Sequence, residues 1–350
     1  MSDYTSTLDL PAAAEMIRQT QGRIVVLTHA KPDGDAFGSV IALAAALRAT
    51  GRDVLPCFVP PVPVSLLELR GSMLANVYDD TLDLSGAGLY VVLDTGAWSQ
   101  LGDMRSVIEA NLPRTLILDH HLSGDIPAPA RYIDGRAAAA CEIVAQLLDH
   151  LLDDPAALSE NTSHTISDAL FVGIASDTGW FRFSNTRPET HELAARLLRQ
   201  GVDQSALYQV LEQMERPQKL ALLTRALDSL KMLAGGQAAV MTLRVSDFAE
   251  TGALEEETER LIDVPQQVGT IRVIVLVSEK RDEEADGEPA VVTRMSFRSK
   301  AGRDAVNVAE LASRFGGGGH ARAAGAKVNA PAAEVVPQVE QVLLEALNHR

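Results

Sequence analysis

Residues 23–35 read RIVVLTHAKPDGD. Residues 23–27 form an apolar run rich in β-branched side chains, with no polar alternation. That is the pattern of a strand covered on both faces. The run then stops abruptly. Residues 28–35 place His29, Asp33 and Asp35 around a Pro and a Gly, so a strand delivers three chemically capable side chains to a turn. A helical pattern follows over residues 39–49 and stops at Gly51. Further out, residues 54–59, 89–93 (LYVVL) and 115–118 (TLIL) read as strands. Helical patterns occupy residues 99–111, 137–152 and 162–175, and another starts at Pro188 and stops at Gly201. Strands alternating with helices predict an α/β fold with a doubly wound, mostly parallel sheet.

The texture changes after residue 203. Residues 204–233 are polar–apolar and broken by Pro217, which predicts a helical connector. Residues 238–245, 270–277 and 291–299 read as strands, with a charged loop at 279–287 between the last two. Helices are expected at 306–315 and 332–347, and a short strand at 326–328. The organisation expected is a domain over 1–203, a connector over 204–233 and a smaller α+β domain over 234–350.

The chain has 350 residues, 47 acidic against 31 basic, for a net charge of −16. Its length suits two domains and its 46% hydrophobic content suits a folded chain. The acidic balance argues against coating long duplex nucleic acid, which needs a basic face. Two cysteines, Cys57 and Cys141, exclude a disulfide framework or a cysteine-rich zinc module. The N-terminus shows no secretory signal, and no apolar run approaches the ~20 residues of a membrane span. A cytoplasmic protein without membrane association is expected.

What ends each strand is the main functional signal. The run at 89–93 ends in Asp94, and the run at 115–118 ends in Asp119-His120-His121. The helix at 162–175 runs into Asp177. Ligands of open α/β sheets bind beyond the carboxyl ends of the strands. Any one of these residues alone is an ordinary turn former or helix cap. Together they make a cluster of carboxylates without lysine partners, and such groups repel unless cations join them. Mixed Asp and His donors suit Mn²⁺, Fe²⁺, Co²⁺ or Zn²⁺ better than Ca²⁺. Six or more ligands exceed the needs of one ion; two ions about 3.5–4 Å apart serve phosphoryl transfer.

His29-Ala30-Lys31-Pro32-Asp33-Gly34-Asp35, Asp94, Asp119-His120-His121 and Asp177 resemble the four signature motifs of the DHH phosphoesterase superfamily. Phe315 to His320 (FGGGGH) with Ala323-Ala324-Gly325 resembles the signature of the associated DHHA1 domain. The resemblance covers nearly the whole chain and is greatest to the compact nanoRNase/pAp-phosphatase group. It implies one metal held by His29, Asp33 and Asp94, and a second held by Asp35, Asp94, His120 and Asp177, commonly with Mn²⁺. It also implies that Asp119 orients a histidine and that His121 faces the scissile phosphate.

The glycine run at 316–319 reads as an unpacked element whose N–H groups meet phosphate oxygens. Residues 291–330 carry seven basic and two acidic side chains, a net +5, while residues 246–290 carry −9. Such an island focuses an anionic substrate. Arg298, Gly317, Gly318, Gly319 and His320 are the expected substrate contacts, with Arg182 and Asn185 as further candidates. Gly38-Ser39 is a candidate helix start facing an anion. Two-metal hydrolysis of very short oligoribonucleotides to 5′-mononucleotides, with phosphatase action on 3′-phosphoadenosine 5′-phosphate, is the expected activity. The alternatives are a cyclic di-AMP or linear dinucleotide phosphodiesterase, a single-strand DNA exonuclease and an inactive nucleotide-binding module. A homodimer is compatible with all of them.

Overall fold

The computed structural model describes residues 4–79, 81–282, 290–302 and 304–348. The chain divides into two compact units, one up to Met214 and one from Glu215. The first contains α1 (Leu10–Gln19), β1 (Ile24–Leu27), α2 (Gly34–Ala49), β2 (Val54–Phe58), α3 (Val64–Leu67), β3 (Asn76–Val77) and β4 (Leu89–Leu93). It continues with α4 (Arg105–Ala110), β5 (Thr115–Asp119), β6 (Ala130–Ile133), α5 (Ala140–Leu151), α6 (Glu160–Asp177), α7 (Pro188–Arg199) and α8 (Gln204–Glu212). Its six strands pair in the order β3-β2-β1-β4-β5-β6, parallel throughout.

That order is the doubly wound one, and it reverses between β1 and β4, which makes the crevice beyond their carboxyl ends the expected ligand site. Alternate residues of each strand feed two cores. Val26, Val91 and Leu118 face α1, α2, α5 and α6. Val25, Val92 and Ile117 face Leu101, Met104 and Ile108. This two-sided burial is why the strands read as continuous apolar runs.

Helix α2 is buried from Gly34 to Leu47, all round its circumference, as a helix must be when it is apolar on every side. It begins five residues before the expected Ser39, because the Asp33 side chain caps it by accepting from the N–H groups of Asp35 and Ala36, each at 3.0 Å. Gly38 and Ser39 are therefore mid-helix and offer no anion site. A Cβ on Gly38 would lie 2.2 Å from the Ala169 carbonyl oxygen, so this glycine permits close packing of α2 on α6.

The second unit contains α9 (Pro217–Asp228), β7 (Lys231–Leu233), β8 (Ala238–Leu243), α10 (Val245–Thr251), β9 (Val273–Asp282), β10 (Ala290–Ser299), α11 (Val308–Ser313), β11 (Gly318–His320), β12 (Ala323–Val328) and α12 (Ala332–Asn348). Its strand order is β11-β12-β10-β9-β8-β7, antiparallel except for β8 with β9. One core lies between the sheet and α11 and α12, built on Val275, Phe297, Leu311, Val339 and Leu343. Another joins the opposite face to α9 through Leu222, Ala226, Met241 and Ile274.

Several sequence expectations change here. Strand β9 continues through Glu279–Asp282, so the expected loop at 279–287 is partly strand, because its backbone forms a hairpin arm paired to β10. Residues 283–287 lie outside the described residues. Strands β3, β6 and β7 are two to four residues long and left no apolar run to read. The region 99–111 is two short 3₁₀ turns followed by α4, broken at Gly102 with φ +52°.

Candidate metal centre and anion-binding face

Three strands at the topological reversal, β1, β4 and β5, each lead into a chemically capable residue. His29 follows β1, Asp94 follows β4, and Asp119-His120-His121 ends β5. Asp33 and Asp35 open α2, and Asp177 closes α6. The fold brings all of these together. His29 Nε2 lies 3.5 Å from Asp94 Oδ2 and 4.0 Å from Asp33 Oδ1. His120 Nε2 lies 3.2 Å from Asp94 Oδ1, 3.3 Å from Asp177 Oδ2 and 3.9 Å from Asp35 Oδ2. Donor atoms of His29, Asp33 and Asp94 lie within 4.8 Å of one another, as do those of Asp35, His120 and Asp177. Asp94, His120 and His121 form a third such group.

The backbone sets the donor atoms. Asp94 has φ +61°, a left-handed conformation that costs a non-glycine residue strain. It is held there by its N–H donating to the Leu118 carbonyl at 3.1 Å, and the turn brings the side chain back over the strand ends, 2% exposed. His29 Nδ1 lies 3.1 Å from the Ala30 carbonyl and His120 Nδ1 lies 3.3 Å from the Ala137 carbonyl. A proton on Nδ1 satisfies each carbonyl and leaves the Nε2 lone pair facing the carboxylates, as in metal-ligating histidines. Asp35, fully buried, accepts from the N–H groups of Ala140 at 2.5 Å and Cys141 at 2.9 Å at the start of α5.

Among the described residues, the ion pairs of Asp33, Asp35, Asp94 and Asp177 are all to histidines. The proton affinities report the strain. Burial and the Asp94 and Asp177 charges push the Asp35 carboxyl well above the carboxylate range. Burial and Asp94 push Asp177 up to about 7. Against their burial, Asp94 raises His29 to about 9, and Asp94 with Asp35 raises His120 to about 10. Despite burial, His120 and His29 hold Asp94 low. Protons thus stand in for cations. Asp94 Oδ1 and His120 Nε2 are buried with no hydrogen-bond partner of proper geometry, although they are 3.2 Å apart. A cation shared between these two buried atoms would satisfy both, so the donor set suits divalent metal.

His121 is half-exposed and held by Asp119. Asp119 Oδ1 accepts from His121 Nδ1 at 2.8 Å and from its backbone N–H at 3.1 Å. That contact raises the imidazole above its ordinary pKa. A residue the sequence did not mark completes the group: the Tyr4 hydroxyl donates to Asp119 Oδ2 at 2.7 Å. A lone tyrosine outside every motif carries no sequence signal.

The expected substrate residues fall in both units. Arg182 is exposed after the turn that follows α6, with Nε donating to the Gly179 carbonyl at 2.6 Å. Asn185 is committed to structure instead, its amide donating to the Ala138 and Asp177 carbonyls at 3.1 Å. The glycine run is not an unpacked element. Gly318 and Gly319 belong to edge strand β11, where a Cβ on Gly319 would meet the Ala323 carbonyl oxygen at 2.6 Å, and one on Gly317 would meet that of Gly325 at 2.1 Å. Gly317 and Gly319 let two backbones approach, while Gly316 and Gly318 stand in open space.

Pairing also aligns Arg298, Ala323 and His320 in one row across β10, β12 and β11. Residues directly opposite one another share a face, so Arg298 and His320 lie on one side with only the small Ala323 between. Arg294 and Lys327, themselves paired, share that side. Three of the seven basic residues of the island read in the sequence, Arg294, Arg298 and Lys327, thus share one sheet face, whereas Arg314 pairs with Glu345 and Lys300 donates to the Val268 carbonyl. Arg303 lies outside the described residues.

Comparison with known proteins agrees with this geometry. Residues 23–174 match the DHH family, N-terminal domain, and residues 235–349 match the DHHA1 domain. The chain is 30% identical over 315 residues to the bifunctional oligoribonuclease and PAP phosphatase NrnA of Thermus thermophilus, covering 89% of this chain and 86% of that one. It is 26% identical over 307 residues to the Bacillus subtilis protein of the same name, covering 87% and 89%. The crystal structure of an exopolyphosphatase-related protein from Bacteroides fragilis superposes with a TM-score of 0.83 at 22% identity, covering 99% and 98% of the two chains, which shows a common fold. With its carboxylates and histidines converging at the sheet reversal and both domain types present in order, the chain belongs to the DHH family and is a metal-dependent phosphoesterase.

Proposed function

We propose that the protein hydrolyses very short oligoribonucleotides to 5′-mononucleotides using two Mn²⁺ ions, and that it also dephosphorylates 3′-phosphoadenosine 5′-phosphate. The observation that carries this reading is the pair of donor groups, His29–Asp33–Asp94 and Asp35–His120–Asp177, with Asp94 of the first 3.2 Å from His120 of the second. His29, Asp33 and Asp94 would hold one ion; Asp35, Asp94, His120 and Asp177 would hold the other. When bound, such a pair neutralises phosphoryl oxygens and supplies a nucleophile from water near neutral pH. The chain's own contribution is preorganisation. Asp94 offers one oxygen to each side of the centre. Asp119 holds His121 by Nδ1, leaving Nε2 to donate to the phosphate as charge develops in the transition state. Arg182 in the first unit and Arg298, Gly317, Gly318, Gly319 and His320 in the second would take the anionic substrate. The mixed Asp and His donors support Mn²⁺ over Ca²⁺.

The activities named for the Thermus thermophilus and Bacillus subtilis relatives support the substrate class. Two buried cysteines, both free, suit the reducing cytoplasm. Among the described residues no helix is long and apolar enough to cross a membrane. Light scattering decides whether the working unit is a homodimer. The activity test is a Mn²⁺ assay on 3′-phosphoadenosine 5′-phosphate, pApA, pGpG, cyclic di-AMP and a long RNA. Fast release of mononucleotides from the linear dinucleotides supports the reading. Equal turnover of long RNA with none of the dinucleotides rejects it, and a preference for cyclic di-AMP moves the substrate to cyclic dinucleotides.

A further inference from the structure

Residues 4–8 run beside β6, ahead of α1. The Thr7 N–H donates to the Arg131 carbonyl at 2.8 Å, and the Arg131 N–H donates to Thr7 Oγ1 at 2.8 Å. One step along, the Ile133 N–H donates to Ser6 Oγ at 2.8 Å, and the Ser6 hydroxyl donates to the Ile133 carbonyl at 3.0 Å. These bonds staple the segment to the sheet edge and carry Tyr4 to the end of β5. The Tyr4 ring occupies a slot opened by two glycines. A Cβ on Gly96 would fall 1.7 Å from its hydroxyl oxygen, and one on Gly124 would fall 2.4 Å from its ring. Neither glycine has a positive φ, so space and not backbone conformation explains them.

The hydroxyl in this slot donates to Asp119 Oδ2 at 2.7 Å. Asp119 is completely buried, and its other oxygen takes both bonds from His121. The carboxylate is therefore held at both oxygens, one by Tyr4 and one by the histidine. Burial and the Asp119 charge keep the phenol protonated, so it serves as a donor.

We propose that Tyr4 is a positioning residue for His121: its hydroxyl locks the Asp119 carboxylate, and the locked carboxylate fixes the His121 ring with Nδ1 inward and Nε2 toward the substrate. The inference rests on the reading of His121 as the residue facing the scissile phosphate. Without the hydroxyl, Asp119 Oδ2 is a buried acceptor with no partner, and the carboxylate is free to turn toward a new one. The ring of His121 turns with it. Outer residues that orient a functional histidine are worth about 10- to 100-fold.

The test is Tyr4→Phe, which keeps the ring in its glycine slot and removes one oxygen. Expected is a fall in kcat on a dinucleotide of about tenfold with KM unchanged. A second readout needs neither metal nor turnover. In metal-free protein the His121 Nδ1–H proton, sheltered by Asp119, should give a resolved downfield NMR resonance, assigned by its loss in His121→Gln. Tyr4→Phe should broaden or abolish it. Ser6→Ala, which removes both side-chain bonds of the staple to Ile133 without touching Asp119, should weaken the resonance and kcat in the same direction but by less. Tyr4→Phe with an intact resonance and full kcat overturns the proposal. His121→Gln with full kcat overturns instead the reading of the site on which the proposal rests.

Discussion

Asp94 is the residue on which the centre turns. It is buried, backbone-strained and within reach of His29 on one side and His120 on the other. Asp94→Asn keeps its shape and removes its charge. Losing that charge at a shared ligand should cost about 4 kcal/mol, roughly three decades in kcat/KM; steady-state kinetics with a Mn²⁺ titration measures it, and near-normal turnover contradicts the assignment. Proton affinities give a second expectation for metal-free protein. His29 and His120 keep protons to about 9 and about 10 when folded, above the ordinary 6.5, and Asp177 keeps one to about 7, above 3.8. Each group binds protons more tightly folded than unfolded, so stability falls as pH rises between the two values. The decline due to Asp177 runs over about pH 4–7 and that due to the histidines over about pH 6.5–10. Asp94, held low, acts only below that range. Chelator-treated protein should therefore lose Tm from pH 6.5 to 9 in calorimetry. Mn²⁺ should restore most of the loss at the alkaline end, where it no longer competes with protons. A flat or rising Tm of metal-free protein over that interval contradicts the proton-for-cation account.

At the scale of elements, the site depends on how closely α2 and α6 pack. Asp35 rides on the first and Asp177 on the second, and glycines stand where the helices touch. A Cβ on Gly34 would lie 1.9 Å from Ser176 Oγ, one on Gly38 2.2 Å from the Ala169 carbonyl oxygen, and one on Gly173 2.7 Å from Asp35 Oδ1, besides 2.1 Å from Cys141 Sγ on α5. The Gly38 neighbour is backbone and cannot rotate away. Gly38→Ala should therefore cost about 1–3 kcal/mol of stability and weaken Mn²⁺ binding by moving Asp35 away from Asp177. Thermal unfolding and a metal titration report the two effects. Gly269→Ala, in open space with ordinary backbone, is the control that should change neither.

Across the whole molecule, the net charge of −16 and the basic sheet face divide the work. Within this acidic chain, Arg294, Arg298, Lys327 and His320 share one face of the second unit. Arg298→Ala should raise KM for a dinucleotide about tenfold, the worth of one charged hydrogen bond, with kcat nearly kept. It should also reduce the salt dependence of KM by about 0.7 per decade, as expected for one lost phosphate contact. An unchanged salt slope would remove Arg298 from the binding face.

The sequence alone determined the parallel sheet and the residue types at its strand ends, because two-sided burial forces unbroken apolar runs and the polar groups must stand where those runs stop. It also held the four DHH signature motifs and the DHHA1 signature. The tertiary structure alone decided three further matters. It placed the start of α2 at Gly34, where a capping carboxylate outweighs an apolar pattern that looks to begin later. It turned the glycine run into an edge strand, since close backbone approach across strands has no local signal. It also carried Tyr4, 115 positions away in sequence, onto Asp119. Short strands and single long-range hydrogen bonds are fixed by what lies opposite in space, and neighbouring residues in the chain do not encode it.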